Sequence, residues 1–304
     1  NGTDTGRFRV PGYKGGLLTA ALDLGTRLLP AFETKTGLPF GTVNLRYGVP
    51  HKEVPVASVA GAGSLSIEFG MLSYLSGDHR FAEVSYRSVE RLYRARNPLG
   101  LVGKHIHIQN GQWTEATSGI GYNADSFYEY TLKASILFGD DRYKAMFDVL
   151  YSAVEHRLRN GDWYTEFDMR SGRPKDFTFN SLQAFWPGLQ TIAAVDDLNA
   201  VAKAANSTNA FMATWRKFGV LPEQYDYIRG ASKKAGPLGN KKGKQTSVGA
   251  GLIGTSKPEG AQSRSYLLRP ELVESVYHVY RATNDTSWLE AGADIVGGII
   301  AKCS

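Results

Sequence analysis

The seven residues LFGDDRY, at positions 137–143, connect two predicted helices. Gly139 suits the left-handed conformation that ends a helix, and Asp140 suits the N-cap of the next helix. Two other segments repeat the pattern, LSGDHRF at positions 75–81 and ATNDTSW at positions 282–288. Each has a helix end, Gly or Asn, then Asp, then an aromatic residue three positions later. We interpret each as the connection of a helical hairpin, and successive hairpins build a solenoid or a closed helical toroid.

The helix before each of these turns carries an acid at nearly the same place. Glu68 lies ten residues before Asp78, and Glu129 and Glu274 each lie eleven residues before the corresponding Asp. If the three helices are equivalent inner helices of a ring, their carboxylates point toward one axis. Such convergence is what an active site at the centre of an α/α barrel requires.

The segment GIGYNADSFYEY, at positions 119–130, begins the second of these helices. Asp125 and Glu129 share one helix face there and stand among aromatic residues. Burying ionised carboxylates costs several kcal/mol unless something offsets it, so either a partner neutralises them or they serve chemistry. The alternative is an exposed ladder of charges, because Lys133 follows Glu129 by four residues.

The third acidic helix places Glu271 and Glu274 on one face after Pro270. Their repulsion is relieved by a cation or a shared proton. Because His and Cys are scarce, the available ligands are hard oxygens, which select Ca²⁺ or Mg²⁺ over zinc. Converging carboxylates near aromatic residues, without a Ser/His/Asp or Cys/His set, fit glycoside hydrolysis, in which one acid protonates the leaving oxygen and another activates water.

Other motifs support weaker hypotheses. The aromatic side chains of Phe179, Phe185 and Trp186 could stack on sugar rings, although packing in the core is the alternative for each of them. The AGAG segment at positions 60–63 resembles a phosphate loop but lacks the glycine and lysine that would follow. His105 and His107 share a strand face and could bind metal, yet a surface hairpin is the simpler interpretation.

Composition and charge limit the function classes. The chain of 304 residues is 42% hydrophobic, as a globular protein is, and no run of 18 apolar residues is present. The net charge of +6 contains a net +7 between positions 229 and 265, so the remainder carries −1. This argues against a nucleic-acid surface formed by the fold, and we interpret 229–265 as a basic loop insertion. A single cysteine, Cys303, excludes an internal disulfide.

Hydrophobic periodicity and turn residues predict the following elements. We expect helices at about 16–29, 64–76, 78 onward, 124–138, 141–158, 180–194, 197–217, 270–283 and 287–302, a hairpin at 105–113 and a short strand near 163–169.

Four motifs in order carry a family resemblance: TGLPFGTVNLRYGV (36–49), GAGSLSIEFG (61–70), FNSLQAFWPGLQ (179–190) and LRPELVES (268–275). They resemble glycoside hydrolase family 47, the class I α-mannosidases, and within it the ER degradation-enhancing branch with its plant-type members. The resemblance implies an all-α fold, an (α/α)7 barrel that is incomplete in this chain, with small β-hairpins. Residues 1–304 would then form part of a family 47 catalytic domain.

The resemblance also implies a function. It is Ca²⁺-dependent, inverting removal of α-1,2-linked mannose from the N-glycans of misfolded glycoproteins. The implied location is the endoplasmic reticulum, in the lumen or associated with the membrane. The implied partners are high-mannose N-glycans and an ER oxidoreductase or chaperone, with no nucleic acid.

Matched position by position, the resemblance implies that Glu68 is the general acid, Asp125 the second catalytic carboxylate and Glu271 the general base. The residues that it places at the substrate are Arg269, Glu274, Asn180, Phe185 and Glu129. Asn180 replaces an Asp common in the family, and Asn123 stands where the glycan-processing mannosidases have Arg. Ser58 stands where many degradation-branch members have a Cys, and Cys303 matches the usual partner of that Cys.

The Thr-Glu motif that binds Ca²⁺ directly in the family lies beyond Ser304, so a water-mediated contact from Glu271 is the metal contact that the chain offers. We therefore expect the chain as isolated to be inactive, even if the parent protein is an enzyme. A non-catalytic, mannose-binding, lectin-like receptor is the alternative function. Retention of all three carboxylates favours the enzyme, because a lectin needs no acid and base. A helical scaffold with structural acids is a third hypothesis.

Overall fold

A computed structural model describes residues 12–228 and 266–303. The predicted basic insertion at 229–265 lies outside the described residues. The fold is mostly helical, with small antiparallel strands, as the sequence predicts. The helices within the described ranges do not close into a complete barrel. None of them is both long and apolar enough to cross a membrane.

The helices follow one another as hairpins along the chain. They are α1 (Gly16–Leu28), α2 (Val59–Gly63), α3 (Ser66–Ser76), α4 (Arg80–Arg94), α5 (Asp125–Phe138), α6 (Asp141–Arg157), α7 (Trp186–Ala193), α8 (Leu198–Phe218), α9 (Glu271–Thr283) and α10 (Ser287–Cys303). Short 3-10 helices occupy Leu29–Phe32 and Ser181–Phe185. Most predicted helices are therefore confirmed to within two residues.

Short strands make small sheets beside the helices. They are β1 (Val56–Ser58), β2 (His105–His107), β3 (Trp113–Glu115), β4 (Thr117–Ser118), β5 (Arg159–Asn160), β6 (Trp163–Tyr164), β7 (Glu166–Asp168), β8 (Arg173–Asp176), β9 (Thr178–Asn180) and β10 (Gln224–Asp226). The sheet orders are β1-β2-β3, β4-β7-β8, β5-β6 and β9-β10, and every pairing is antiparallel. The hairpin predicted at 105–113 is present, and β1 adds a third strand to it.

The three predicted turns have the geometry that the repeat implies. The residue that follows each of α3, α5 and α9 has a left-handed backbone conformation, with φ of 76° at Gly77, 61° at Gly139 and 52° at Asn284. The Asp that follows accepts the backbone N–H two residues further on, at 3.1, 2.9 and 2.9 Å. The pairs α3/α4, α5/α6 and α9/α10 are therefore helical hairpins whose helices run antiparallel.

A fourth hairpin joins α7 to α8 through a turn that the repeat missed. Asp196 is left-handed there, with φ of 61°, and Asp197 caps α8 by accepting the N–H of Asn199 and of Ala200, both at 3.0 Å. The sequence has Asp rather than Gly or Asn in the left-handed position, so the pattern did not identify it. Asp tolerates this conformation better than most residues.

The predicted helix at 180–194 is wrong in its first half. Asn180 ends strand β9, a 3-10 turn follows, and α7 begins only at Trp186. Pro187 lies in the first turn of α7, where the missing N–H costs nothing, and proline is favoured at a helix start for that reason.

A glycine lets α2 approach α5 closely. A Cβ on Gly63 of α2 would lie 2.3 Å from Cδ2 of Phe127 on α5. Phe127 is fully buried in the largest apolar cluster, which also contains Leu92 of α4 and Trp186 of α7. Gly63 of the AGAG segment therefore has a packing role, and the weaker hypothesis of a phosphate loop is not favoured.

Candidate active site

Asp125 stands at the start of α5, directly after a loop that depends on a glycine. A Cβ on Gly121 would lie 2.3 Å from the side-chain nitrogen of Asn180, so the loop and β9 pack together only without that Cβ. Asn123 adopts φ of 69° and its carbonyl accepts the N–H of Ala60 at 2.8 Å. The loop, β9 and α2 thus fix where α5 begins.

The carboxyl of Asp125 is held in a poorly solvated position. One oxygen accepts the N–H of Ser126 at 2.9 Å. Burial raises the pKa of Asp125 to about 6, the charge of Glu129 adds to the rise, and the Ser126 hydrogen bond and Arg269 oppose it. A carboxyl with such a pKa can gain or lose a proton near neutral pH.

Glu271 occupies the first turn of α9 and faces the same region. Burial raises the pKa of Glu271, and the charges of Asp125 and Glu223 add to the rise while Arg269 opposes it. Its Oε2 atom is buried and has no hydrogen-bond partner among the described residues. A buried carboxylate oxygen without a partner is costly, so this atom is available to a ligand, a water molecule or an ion.

Glu223 is the site residue that sequence reasoning missed. Arg269 donates to it from Nε, at 3.0 and 3.1 Å to the two carboxylate oxygens, and from Nη2 at 2.9 Å. The Tyr122 hydroxyl donates to the same carboxylate at 2.9 Å. Burial raises the pKa of Tyr122 to about 12, and Glu223 contributes to the rise. These hydrogen bonds hold the Arg269 side chain in one position, and Arg269 precedes Glu271 by two residues.

Strand pairing brings Glu223 to the site. It precedes β10, where Gln224 pairs with Asn180 of β9, and its carbonyl accepts the Ser181 N–H at 3.2 Å. A single acid after Leu221 and Pro222 carries no periodic signal. Only the pairing of β9 with β10 reveals its place, and sequence reasoning did not predict that pairing.

Glu68 lies in the first turn of α3, and its side chain is exposed. It accepts a hydrogen bond from the Tyr130 hydroxyl at 2.7 Å. Burial raises the pKa of Tyr130, and the hydrogen bond to Glu68 raises it further, so the phenol keeps its proton and remains a donor. This bond ties α3 to α5.

Glu129 and Glu274 meet at one lysine. The ammonium of Lys133 lies 2.5 Å from Glu129 on its own helix and 3.3 Å from Glu274 on α9. His278, one turn further along α9, lies 3.9 Å from Glu274. The predicted ladder is thus partly present, but it extends across to a second helix and does not include Asp125.

The predicted aromatic platforms lie in the core. Phe179 and Trp186 are fully buried, and Phe185 is 4% exposed with its ring centroid 6.0 Å from that of Trp186. Packing, the alternative stated for each, accounts for Phe179 and Trp186. A substrate role for Phe185 and for buried Asn180, whose Oδ1 has no partner among the described residues, stays a prediction.

Metal ligands do not converge in the part of the chain that the structure describes. No three His, Cys, Asp or Glu residues within 12–228 and 266–303 are placed to hold one ion. His105 instead pairs with Glu115 at 2.6 Å, and the His107 ring accepts the Gln109 N–H at 3.2 Å, which agrees with the hairpin interpretation. The described residues alone do not form a calcium site, although Glu271 Oε2 is an oxygen atom without a hydrogen-bond partner and could act as a metal ligand.

The structure therefore gathers the predicted acids from three helices into one region. Asp125 and Glu271 interact electrostatically, and both have raised pKa values. The positive charge of Arg269 acts on both carboxyls and opposes the rise in each pKa. Glu68 approaches through Tyr130. Such a set of carboxyls can donate a proton to one oxygen and withdraw a proton from another.

Comparisons with known proteins show what the chain is similar to. The model of the family described as glycosyl hydrolase family 47 matches residues 8–304. "Alpha-mannosidase I MNS4" of Arabidopsis thaliana is 41% identical over 298 residues, which cover 97% of this chain and 43% of that protein. "ER degradation-enhancing alpha-mannosidase-like protein 2" of Homo sapiens is 39% identical over 285 residues, which cover 94% of this chain and 44% of that protein. The chain thus spans less than half the length of these relatives.

The fold agrees as well. The solved structure of the alpha-1,2-mannosidase from Trichoderma reesei superposes with a TM-score of 0.73 at 22% identity, over 93% of this chain and 60% of that chain. At this identity the likeness concerns the fold. It identifies the helical hairpins as part of an (α/α)7 barrel, which the described residues do not complete.

Proposed function

Because the chain belongs to glycosyl hydrolase family 47, we propose that its parent protein is an α-1,2-mannosidase-like glycosidase. We propose that it trims mannose from the N-glycans of misfolded glycoproteins before their degradation from the endoplasmic reticulum. The observation that carries the proposal is the buried, unpartnered Glu271 Oε2 beside Asp125 and Arg269. The names of the plant and human relatives support the substrate class and the pathway.

In this proposal the reaction inverts the anomeric centre. Glu68 gives its proton to the glycosidic oxygen as the bond to C1 breaks, and Glu271 accepts a proton from the water that attacks C1 from the opposite face. The products are free mannose and a glycan shorter by one residue. The Tyr130 hydroxyl steadies Glu68, and the ion pair with Glu223 steadies Arg269.

Asp125 has a different part in the proposed mechanism. It is the second catalytic carboxylate, and its negative charge stabilises the positive charge that develops on the sugar ring in the transition state. Its pKa of about 6 means that the charge is present at neutral pH and is lost in mild acid. Dependence on Ca²⁺ stays a prediction, and no step is assigned to the ion, because the described residues do not form a complete site for it.

A lectin-like receptor is the second candidate function. Because the Glu68 side chain is exposed, it can bind a polar ligand without any chemistry. The raised pKa values of Asp125 and Glu271 favour the enzyme, because a binding site has no need of carboxyls whose pKa values burial holds above the ordinary range.

The test is a glycan digestion. A nine-mannose N-glycan is incubated with the chain, and with the chain extended to its natural ends, and the glycan mass is followed with and without a chelator. Glu271→Gln is the test variant. Glu290→Gln on the exposed face of α10 is its matched control, because it makes the same chemical change away from the site.

We expect the extended wild type and Glu290→Gln to remove mannose, and Glu271→Gln to lose at least about a hundredfold in rate. We expect the chelator to stop the reaction and the chain as isolated to be inactive. An unchanged glycan that still binds the extended protein would refute the enzyme and support the lectin-like receptor.

A further inference from the structure

An open cleft with a basic lining lies outside the proposed active site. Its volume is about 730 Å³, and it is formed by the end of α4, the loop after α4 and the end of α6. Four of its lining residues are basic: Arg94, Arg96, His156 and Arg157. No Asp or Glu lines it.

The charge of this cleft contrasts with that of its surroundings. The net charge of +6 becomes −2 for the described residues, once the net +7 of positions 229–265 and the net +1 of positions 1–11 are set aside. Arg94 is partly neutralised by Glu90 at 2.9 Å. Arg157 is exposed and forms no ion pair with a described residue, so its charge is directed to solvent.

The loop that forms one wall is rigidly built. The Asn97 side chain accepts the N–H of Leu99 and of Leu101, both at 3.0 Å, and donates to the Met169 carbonyl at 3.0 Å. Gly100 has φ of 82°, and a Cβ there would lie 2.8 Å from Cβ of Ala153 on α6. The loop therefore holds a fixed distance from α6 and keeps the cleft open.

Arg96 is positioned in advance of any ligand. Its Nη1 donates to the Tyr93 carbonyl at 2.6 Å, and its guanidinium lies 3.7 Å from the centroid of the Tyr93 ring. Bases at the ends of α4 and α6 complement the helix dipoles, which accounts for Arg94 and Arg157 without any ligand. Arg96 lies just beyond the end of α4 and also caps it, because it donates to a carbonyl of the last turn, so its guanidinium is held in place at the cleft.

The lining also has an apolar part. Leu99 and Val149 face the cleft together with the arginines, and Val149 is 41% exposed. The volume of the cleft lies in the range found for ligand sites, and it is far larger than the volume of a single phosphate ion. Moreover, compact phosphates prefer helix N-termini, whereas this cleft lies at two helix C-termini. Guanidinium groups on long side chains suit carboxylates spaced along a chain.

We propose that this cleft binds an acidic peptide segment in which carboxylates alternate with apolar side chains. The carboxylates pair with Arg96 and Arg157, and an apolar side chain packs on Leu99 and Val149. Because α4 and α6 run antiparallel to α3 and α5, the cleft lies at the same end of these hairpins as Glu68 and Asp125. A bound polypeptide therefore lies at the same end as the candidate active site.

Fluorescence anisotropy of a labelled octapeptide that alternates glutamate with leucine tests the proposal, using the whole chain. The same peptide with glutamine in place of glutamate is the ligand control. Arg157→Gln and the double variant Arg96→Gln/Arg157→Gln are the test proteins. Lys52→Gln/Lys203→Gln makes the same change of charge at exposed positions elsewhere. Arg157 has no described hydrogen bond to lose, so its single variant is not expected to disturb the fold.

We expect saturable binding of the acidic peptide, at least tenfold weaker for the double variant, about threefold weaker for Arg157→Gln and unchanged for the lysine control. We also expect binding to weaken as salt is raised from 50 to about 300 mM, because the charges are exposed. Equal affinity for the glutamine peptide, or equal loss in the lysine control, overturns the proposal. So does an absence of saturable peptide binding when millimolar inorganic phosphate binds in calorimetry, which would indicate a phosphate site instead.

Discussion

At the scale of single residues, Asp125 combines a cost in stability with a proposed role in chemistry. Its pKa of about 6 in the folded chain lies above its ordinary value of 3.8, chiefly because the carboxyl is buried. The folded state therefore binds the proton more readily than the unfolded state. Consequently the free energy of unfolding falls as the pH rises from about 4 to about 6, and the loss is complete at pH 7.

We predict that Asp125→Asn stabilises the protein at pH 7 by up to about 2–3 kcal/mol while it abolishes any mannosidase activity. Asparagine can still accept the Ser126 N–H, and it removes the buried charge. Urea unfolding at pH 7 and pH 4 measures the effect, which should shrink at the lower pH. Asp148→Asn on exposed α6 is the control and should change stability by less than about 0.5 kcal/mol. A destabilised Asp125→Asn at pH 7 contradicts the account.

Site residues on helices could be predicted from the sequence, whereas Glu223 could not, and the difference has a physical reason. Asp125, Glu129 and Glu274 lie on helices, where periodicity and the recurring turn show which face an acid occupies. Glu223 lies beside a three-residue strand, and its partner Arg269 is distant along the chain. The strand register that joins Glu223 to Asn180 depends on tertiary packing, so no local pattern reports it.

At the scale of elements, the Asp after each turn caps the helix that follows. Asp140 accepts the Arg142 N–H at 2.9 Å and pairs with the Arg142 guanidinium at 2.7 Å. The side-chain hydrogen bond from Arg142 is the main reason that the pKa of Asp140 is lowered. Stability from this carboxylate is therefore present above the ordinary value of 3.8 and is lost as the pH falls through the lower folded pKa.

We predict that Asp140→Ala lowers the free energy of unfolding by about 1 kcal/mol at pH 7, because the first turn of α6 loses its cap. Asp140→Asn should lose less than half of that, since an amide oxygen still accepts the Arg142 N–H. Thermal and urea unfolding of the two variants measure the difference. Equal losses in both would show that the ion pair, and not the cap, supplies the stability.

The turn pattern predicted helical hairpins correctly where Gly or Asn holds the left-handed position. It failed where another residue holds that position. Gly77, Gly139 and Asn284 marked three hairpins correctly. Asp196 adopts the same conformation, but Asp is common outside this role, so the fourth hairpin gave no usable signal. The helix predicted from 180 was too long because apolar periodicity cannot distinguish a buried strand and a 3-10 turn from a helix start.

At the scale of the whole molecule, the described residues bury apolar side chains in separate clusters. The largest includes Phe127 and Leu132 of α5, and a second includes Leu272 and Val276 of α9. Lys133 joins these regions, because it reaches Glu129 on α5 and Glu274 on α9. Burial lowers the pKa of Lys133, but hydrogen bonds and charges from the two glutamates outweigh burial and raise it overall.

We predict that Lys133→Met lowers the free energy of unfolding by about 1–2 kcal/mol at pH 7, because two partly buried carboxylates lose their cation. Adding Glu274→Gln to that variant should restore part of the loss, since one of the unpaired charges is gone. Urea unfolding of the single and double variants gives the coupling. Arg216→Met, which breaks the exposed pair with Asp294, is the control and should cost less than about 1 kcal/mol. A double variant less stable than Lys133→Met alone refutes the role of Lys133 as the shared cation.

The hairpin turns also bear on the order of events during synthesis. α3 with α4, and α5 with α6, each bring together neighbours along the chain, and such local contacts form early and quickly. Asp125 is therefore in place on a folded hairpin while the ribosome has yet to add Glu223, Arg269 and Glu271. Among these residues Arg269 and Glu271 arrive last, with α9, so the candidate site is assembled only after both earlier hairpins have been synthesised.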